Sequence, residues 1–236
     1  MVALPHPFVY TLTPESQPRE QCALIFYDNA GEHFQPGVNI VEQPGAQHVA
    51  SAAGILYLFD PFNSPEFRRA IRETKDPQME RPIVDQQDII LAEMRARIQV
   101  IRNLRAGEPI DTPVAFIVGK CDVWLQVLNG KTLSEPIRDG KLDEAALEEN
   151  SNTIRELLHK LCPAVVANAE ALSTNVMFFY ASSFGHTPLK IGPSEYVPDP
   201  AKLQPVHVEV PLLWILSQIS PSLLKSSESP MPQASA

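Results

Sequence analysis

The chain has 236 residues, 44% of them hydrophobic, which suits one globular domain with a full core, or such a domain with a tail. A net charge of -9 and a pI near 5.1 offer no counterion-releasing surface to a phosphate backbone, which weighs against nucleic acid and anionic membranes as partners. No apolar stretch approaches the roughly 20 residues of a membrane span, MVALPHPF lacks the basic and apolar regions of a leader, and Cys22, Cys121 and Cys162 are widely spaced without C-x-x-C pairing; the expectation is a soluble, cytoplasmic protein with reduced thiols.

In chain order, PFVYTLT (Pro7 to Thr13) and CALIFY (Cys22 to Tyr27) flank a polar, proline-containing connection and predict a hairpin-like pair. GILYLFD (Gly54 to Asp60) and PVAFIVGKCD (Pro113 to Asp122) are continuous apolar runs, the pattern of strands buried on both faces, and NVMFFYASS (Asn175 to Ser183) is a third. DIILAEMRARIQVIRNLR predicts an amphipathic helix with Ile90, Met94, Ile98 and Ile101 on one stripe and Arg95, Arg97 and Arg102 largely off it. LDEAALEENSNTIRELLHKL opens with Asp143 as N-cap and an acidic first turn, then turns Leu147, Ile154, Leu158 and Leu161 inward. PLLWILSQI (Pro211 to Ile219) predicts a short closing helix with proline first. The 23 prolines are about twice the usual share of roughly 5%. Many fall in HTPLKIGPSEYVPDPAKLQP, read as an extended excursion, and in SSESPMPQASA, read with residues 221–236 as a disordered tail.

Strands alternating with helices predict an α/β domain with a mostly parallel sheet and flanking helices over residues 1–220. In such sheets ligands sit at the carboxyl ends of strands. The chemically suggestive residues cluster there: Asp28 and Gly31 after one strand, Lys120 and Asp122 after another, Ser182 and Ser183 after a third. FYDNAGEHF resembles the D-x-x-G switch segment of the translation-factor and Ras-like P-loop GTPases, VGKCD their N-K-x-D guanine-reading motif, and YASSFG their S-A-x loop, all in the family's order. The resemblance covers about residues 7 to 220. The longer helical segments, the proline-rich loop and PVHVEVPLLWIL are similar to the prokaryotic double-GTPase group.

The resemblance implies roles that have physical reasons. An Asp at a strand end can hold Mg²⁺ accompanying GTP, and a following Gly offers its amide to the terminal phosphate without a Cβ in the way; these would be Asp28 and Gly31. The attacking water needs an orienting side chain, and where the family often has Gln this chain has Glu32, then His33. A carboxylate beside a polyanionic phosphate is electrostatically awkward, so His33 takes the role, Glu32 acts as a base screened by Mg²⁺, or hydrolysis is slow. Asp122 would accept two N–H groups of guanine with the stem of Lys120 along the ring, and an amide at Ser182 or Ser183 would meet the guanine oxygen. Gly119 departs from the family's Asn or Thr. The plainer readings are an Asx-type turn after Tyr27 and a solvated turn after Val118.

The phosphate loop G-x-x-x-x-G-K-S/T, whose amides and lysine cradle phosphates, should precede CALIFYDNAG, and no Gly precedes that segment. NGKT at Asn129 to Thr132 is a decoy: Leu125 stands where the first Gly is required and no apolar strand leads into it. In the family's sheet the strand entering that loop lies between the D-x-x-G strand and the next, here GILYLFD, so its loss would leave two inner edges unpaired. The expectation is an N-terminally incomplete GTP-binding protein with weak or no nucleotide binding alone, or a remodelled pseudo-GTPase acting as a scaffold on a protein partner. A serine hydrolase is disfavoured because Ser183 and His186 lack the G-x-S-x-G frame. Dispersed His6, His48, His159 and His207 do not form a metal motif.

Overall fold

The structure is a computed structural model that describes residues 7–14, 21–28, 34, 44–83, 86–193 and 195–224. In chain order the elements are β1 (Pro7–Leu12), β2 (Cys22–Tyr27), α1 (Pro44–Ser51), β3 (Ile55–Phe59), α2 (Pro65–Ala70), α3 (Gln87–Ile101), β4 (Val114–Val118) and α4 (Cys121–Trp124). There follow β5 (Ile137–Arg138), β6 (Lys141–Leu142), α5 (Glu144–Leu161), α6 (Pro163–Leu172), β7 (Val176–Tyr180), β8 (Leu189–Lys190), β9 (Tyr196–Val197) and α7 (Val210–Ile219).

The parallel core is three strands in the order β3-β4-β7. The register aligns Tyr57, Phe116 and Phe178 in one row, and their rings pack at 5.1 and 5.2 Å between centroids. With Phe59 and Val118 they form the face that packs into the main core with Leu91 and Ile98 of α3, Ile154 and Leu158 of α5, and Val166 of α6. On the opposite face Ala115 and Phe179 meet Val210, Trp214 and Ile215 of α7. Gly54 permits that approach, because a Cβ there would stand 2.4 Å from Ile215 Cγ2. Asp143 caps α5 by accepting from the Ala146 amide at 3.1 Å, and Pro163 and Pro211 enter the first turns of α6 and α7.

Three features depart from the sequence patterns. The D-x-x-G strand β2 pairs antiparallel with β1, as the hairpin reading expects, and among the described residues neither joins the parallel sheet. β3 is not buried on both faces: Leu56 and Leu58 are 40% and 68% exposed, because α7 covers the central strand β4 more fully than β3. On α3 the buried residues are Gln87, Leu91, Met94, Arg97 and Ile98, whereas Ile90 is half-buried and Ile101 exposed. Arg97 is enclosed because Glu93, one turn earlier, meets its Nε at 2.9 Å and its guanidinium lies 5.7 Å from the Phe34 ring centroid. A cation satisfied in this way can face inward where periodicity alone puts it in water. Residues 225–236 of the expected tail lie outside the described residues. No helix among the described residues is long and apolar enough to cross a membrane.

Candidate functional site

The carboxyl ends of β3, β4 and β7 meet at one rim of the sheet. β4 hands over to a tight turn: the Gly119 amide donates to Phe59 O at 3.0 Å, and Gly119 O accepts from the indole of buried Trp124 at 2.8 Å. Lys120 follows in the left-handed region, φ 55° and ψ 43°, which is uncommon for a residue with a Cβ. From there its ammonium reaches back over β3, 2.7 Å from Asp60 Oδ2 and 4.3 Å from the centroid of the Phe62 ring. The next residue stitches the turn to the third strand: the Cys121 amide donates to Ala181 O at 3.1 Å. Asp122 is the second residue of the short helix α4 and is exposed.

Asp60 is held from four directions. Its amide donates to Gln87 Oε1 and its carbonyl accepts from Gln87 Nε2, both at 2.8 Å. Its Oδ1 accepts from the Phe62 amide at 2.9 Å, which starts a short 3₁₀ turn at Pro61–Asn63. Oδ2 is therefore the oxygen left for Lys120. Gln87 in turn receives the Tyr57 hydroxyl on its carbonyl at 3.0 Å.

Beside this pair lies Asp76, 4% exposed, whose Oδ1 accepts from the Gln78 amide at 2.8 Å while Oδ2 has no partner among the described residues. Burial pushes the Asp76 carboxyl above its ordinary value, and the negative charge of Asp122 adds to this; the Gln78 amide and the Lys120 ammonium pull the other way without overcoming it. Burial also pushes the Cys121 thiol up to about 12, so it is not a nucleophile at neutral pH. The loop after β3 and the excursion after β7 close one flank: Tyr196 donates to Pro77 O at 3.2 Å, Arg81 lies 4.2 Å from the Tyr196 ring centroid, and Lys190 pairs with Glu80.

Among the residues singled out by sequence, Lys120, Asp122, Ser182 and Ser183 come together at this rim. Ser182 is buried; its amide donates to Val206 O at 3.0 Å, so it has no amide left for a ligand, and its hydroxyl accepts from Gly185 at 2.9 Å. Ser183 is exposed at the same turn. Gly185 is required there: its φ is 71°, and a Cβ would fall 1.9 Å from Gln204 O. Asp28 is exposed after β2, with no hydrogen bond or ion pair to another described residue. Gly31, Glu32 and His33 lie outside the described residues. For Mg²⁺ the described residues therefore supply a single exposed carboxylate at that switch segment, and no group of three or more His, Cys, Asp or Glu among them converges as a coordination site. NGKT follows a 3₁₀ turn at Leu125–Leu128 instead of a strand, and Lys131 pairs with Glu156 at 2.6 Å, which disposes of it as a phosphate cradle. His186 places Nδ1 2.8 Å from Thr187 O, away from any Ser183 pair.

Asp60, Phe62, Asp76 and Gln87 were given no role by sequence reasoning. The one signal for Asp60 is its position: like Asp28 and Asp122, it closes or follows an apolar strand run. No protein-family model matches the chain, and neither a curated protein nor a solved structure is significantly similar to it.

Proposed function

We propose that this chain carries the guanine-reading part of a GTPase-like domain. The observation that supports this most is the hydrogen bond from the Cys121 amide to Ala181 O, which sets the Lys120–Asp122 turn against the Ser182–Ser183 turn at the carboxyl end of a parallel sheet. In this reading the exposed Asp122 carboxylate accepts the two N–H donors of guanine. Each charge-assisted bond is worth about 1.5 to 3 kcal/mol, enough to prefer guanine to adenine. The Ser183 amide takes the guanine oxygen, since the Ser182 amide is already used. The stem of Lys120 underlies the base while its ammonium is held by Asp60.

Phosphate binding would depend on a cradle for which the sequence has no G-x-x-x-x-G-K-S/T segment. Affinity should then come from the base, so guanosine and GTP should bind alike, both weakly. Hydrolysis would require an upstream phosphate loop together with Asp28 for Mg²⁺, Gly31 for the terminal phosphate, and Glu32 or His33 at the attacking water.

A second reading, a pseudo-GTPase scaffold, is favoured by the exposed Leu56 and Leu58 on β3 and the exposed Phe8, Val9 and Tyr10 on β1, apolar surface suited to a protein partner. Calorimetric titration of the chain with millimolar GTP, guanosine and ATP separates the two. Heat from GTP and guanosine alone, lost in Asp122→Ala, supports the base-reading site; no heat from any of them favours the scaffold.

A further inference from the structure

Lys120 is unusually constrained for an exposed-rim lysine, and its constraint comes from residues distant in sequence. Its backbone is fixed in the left-handed region, its ammonium is 2.7 Å from Asp60 Oδ2, and the ring of Phe62 lies beneath it at 4.3 Å. Asp60 is not a freely rotating surface carboxylate. Both its backbone polar groups are bonded to the side-chain amide of Gln87, which is itself 8% exposed, and Oδ1 is engaged by the Phe62 amide. An Asn could accept from Phe62 equally well, so the local turn needs no charge. The charge of Asp60 has one described recipient, Lys120.

From this geometry we infer that Asp60 and Gln87 are positioning residues for Lys120: Gln87 fixes the Asp60 backbone, and Asp60 holds the lysine stem extended across the rim as a ready-made floor for a planar purine base. The inference deepens the base-reading proposal and rests on it. It assigns the ammonium to the protein instead of to a phosphate, leaving the four methylenes as the part of Lys120 that a ligand meets. Preorganisation of this kind raises affinity by removing side-chain ordering from the cost of binding.

The test has two readouts on the whole chain. The first is the order of the Lys120 ε-methylene, followed by ¹³C relaxation in the wild type, Asp60→Asn and Gln87→Ala. Lys120 is expected to be rigid in the wild type and to loosen in both variants. The second is guanosine affinity in a double-mutant cycle of Asp60→Asn with Lys120→Met. Restoring the ordering cost of one lysine side chain should weaken guanosine roughly two- to tenfold in the Lys120 background. It should have no effect in the Lys120→Met background, because a residue acting through Lys120 has nothing left to position. Equal order of Lys120 in the wild type and Asp60→Asn, or the same loss of affinity in both backgrounds, overturns the inference. Absence of any guanosine response in the wild type overturns instead the base-reading proposal on which it rests, and the relaxation data still report whether Asp60 holds Lys120. Gln87→Glu, which keeps the acceptor for the Asp60 amide, serves if Gln87→Ala does not fold.

Discussion

The β1–β2 ribbon and the β3-β4-β7 sheet are written in the same alphabet of Phe, Val, Ile and Tyr, yet they occupy opposite environments. Val9 at the middle of β1 is 64% exposed, while Phe116 at the middle of β4 is 0% exposed. The difference lies in what the chain does between strands. Among the described residues no helix stands between β1 and β2, and α1 meets the ribbon through His48 stacked on Tyr27, whereas α3 follows β3 and α5 and α6 follow β4, so each parallel crossover brings its own covering layer. An apolar run therefore specifies a strand, and the length and amphipathicity of the next connection specify whether its faces are buried. β3 shows the intermediate case: one face is in the main core, and the other keeps Leu56 and Leu58 exposed because α7 covers it only in part.

Substitutions can break or sharpen this comparison. Phe116→Ala, which empties a site ringed by Tyr57, Phe59 and Phe178, should cost about 3 to 5 kcal/mol in urea unfolding. Val9→Ala on the ribbon should stay within about 0.5 kcal/mol. Similar costs at the two positions would contradict the contrast. At the rim, Gly185→Ala should destabilise by about 1 to 3 kcal/mol, because both φ and the Gln204 carbonyl exclude a Cβ. A wild-type unfolding curve would show that this turn rearranges freely.

The smallest effect concerns Asp76. Its carboxyl is raised above the ordinary 3.8, so its protonated form fits the fold better than its anion. Stability is then full below the unfolded value and is lost as pH rises through the higher folded value. Asp76→Asn keeps an acceptor for the Gln78 amide and carries no charge. It should melt above the wild type at pH 7, and the gap should close as pH is lowered toward the unfolded value. A gap independent of pH would mean that the anion is not penalised.

Much of this was legible in sequence because local signals sufficed. Asp143 caps α5 at the place where an acceptor precedes an acidic turn and an apolar stripe, and the run PVAFIV becomes the central strand, buried except for the half-buried Ile117. The placement of Lys120 and Asp122 after that strand was legible too. What could not be read is long-range pairing of polar groups: Gln87 clamps Asp60 from 27 residues away, and Lys120 reaches it from 60. Arg97 was misplaced for a related reason, since periodicity scores a cation as outward and does not register that Glu93 satisfies it within the core. The used amide of Ser182 depends on Val206, a partner just past the proline-rich excursion that no motif foretells.

The central claim is tested most directly by following backbone amide shifts of the ¹⁵N-labelled chain during titration with guanosine and, separately, adenosine. The account predicts shifts confined to the turns around Lys120–Asp122 and Ser183–Gly185 with guanosine alone, abolished by Asp122→Ala. No shift at these turns, or equal shifts with adenosine, would contradict a guanine-reading site.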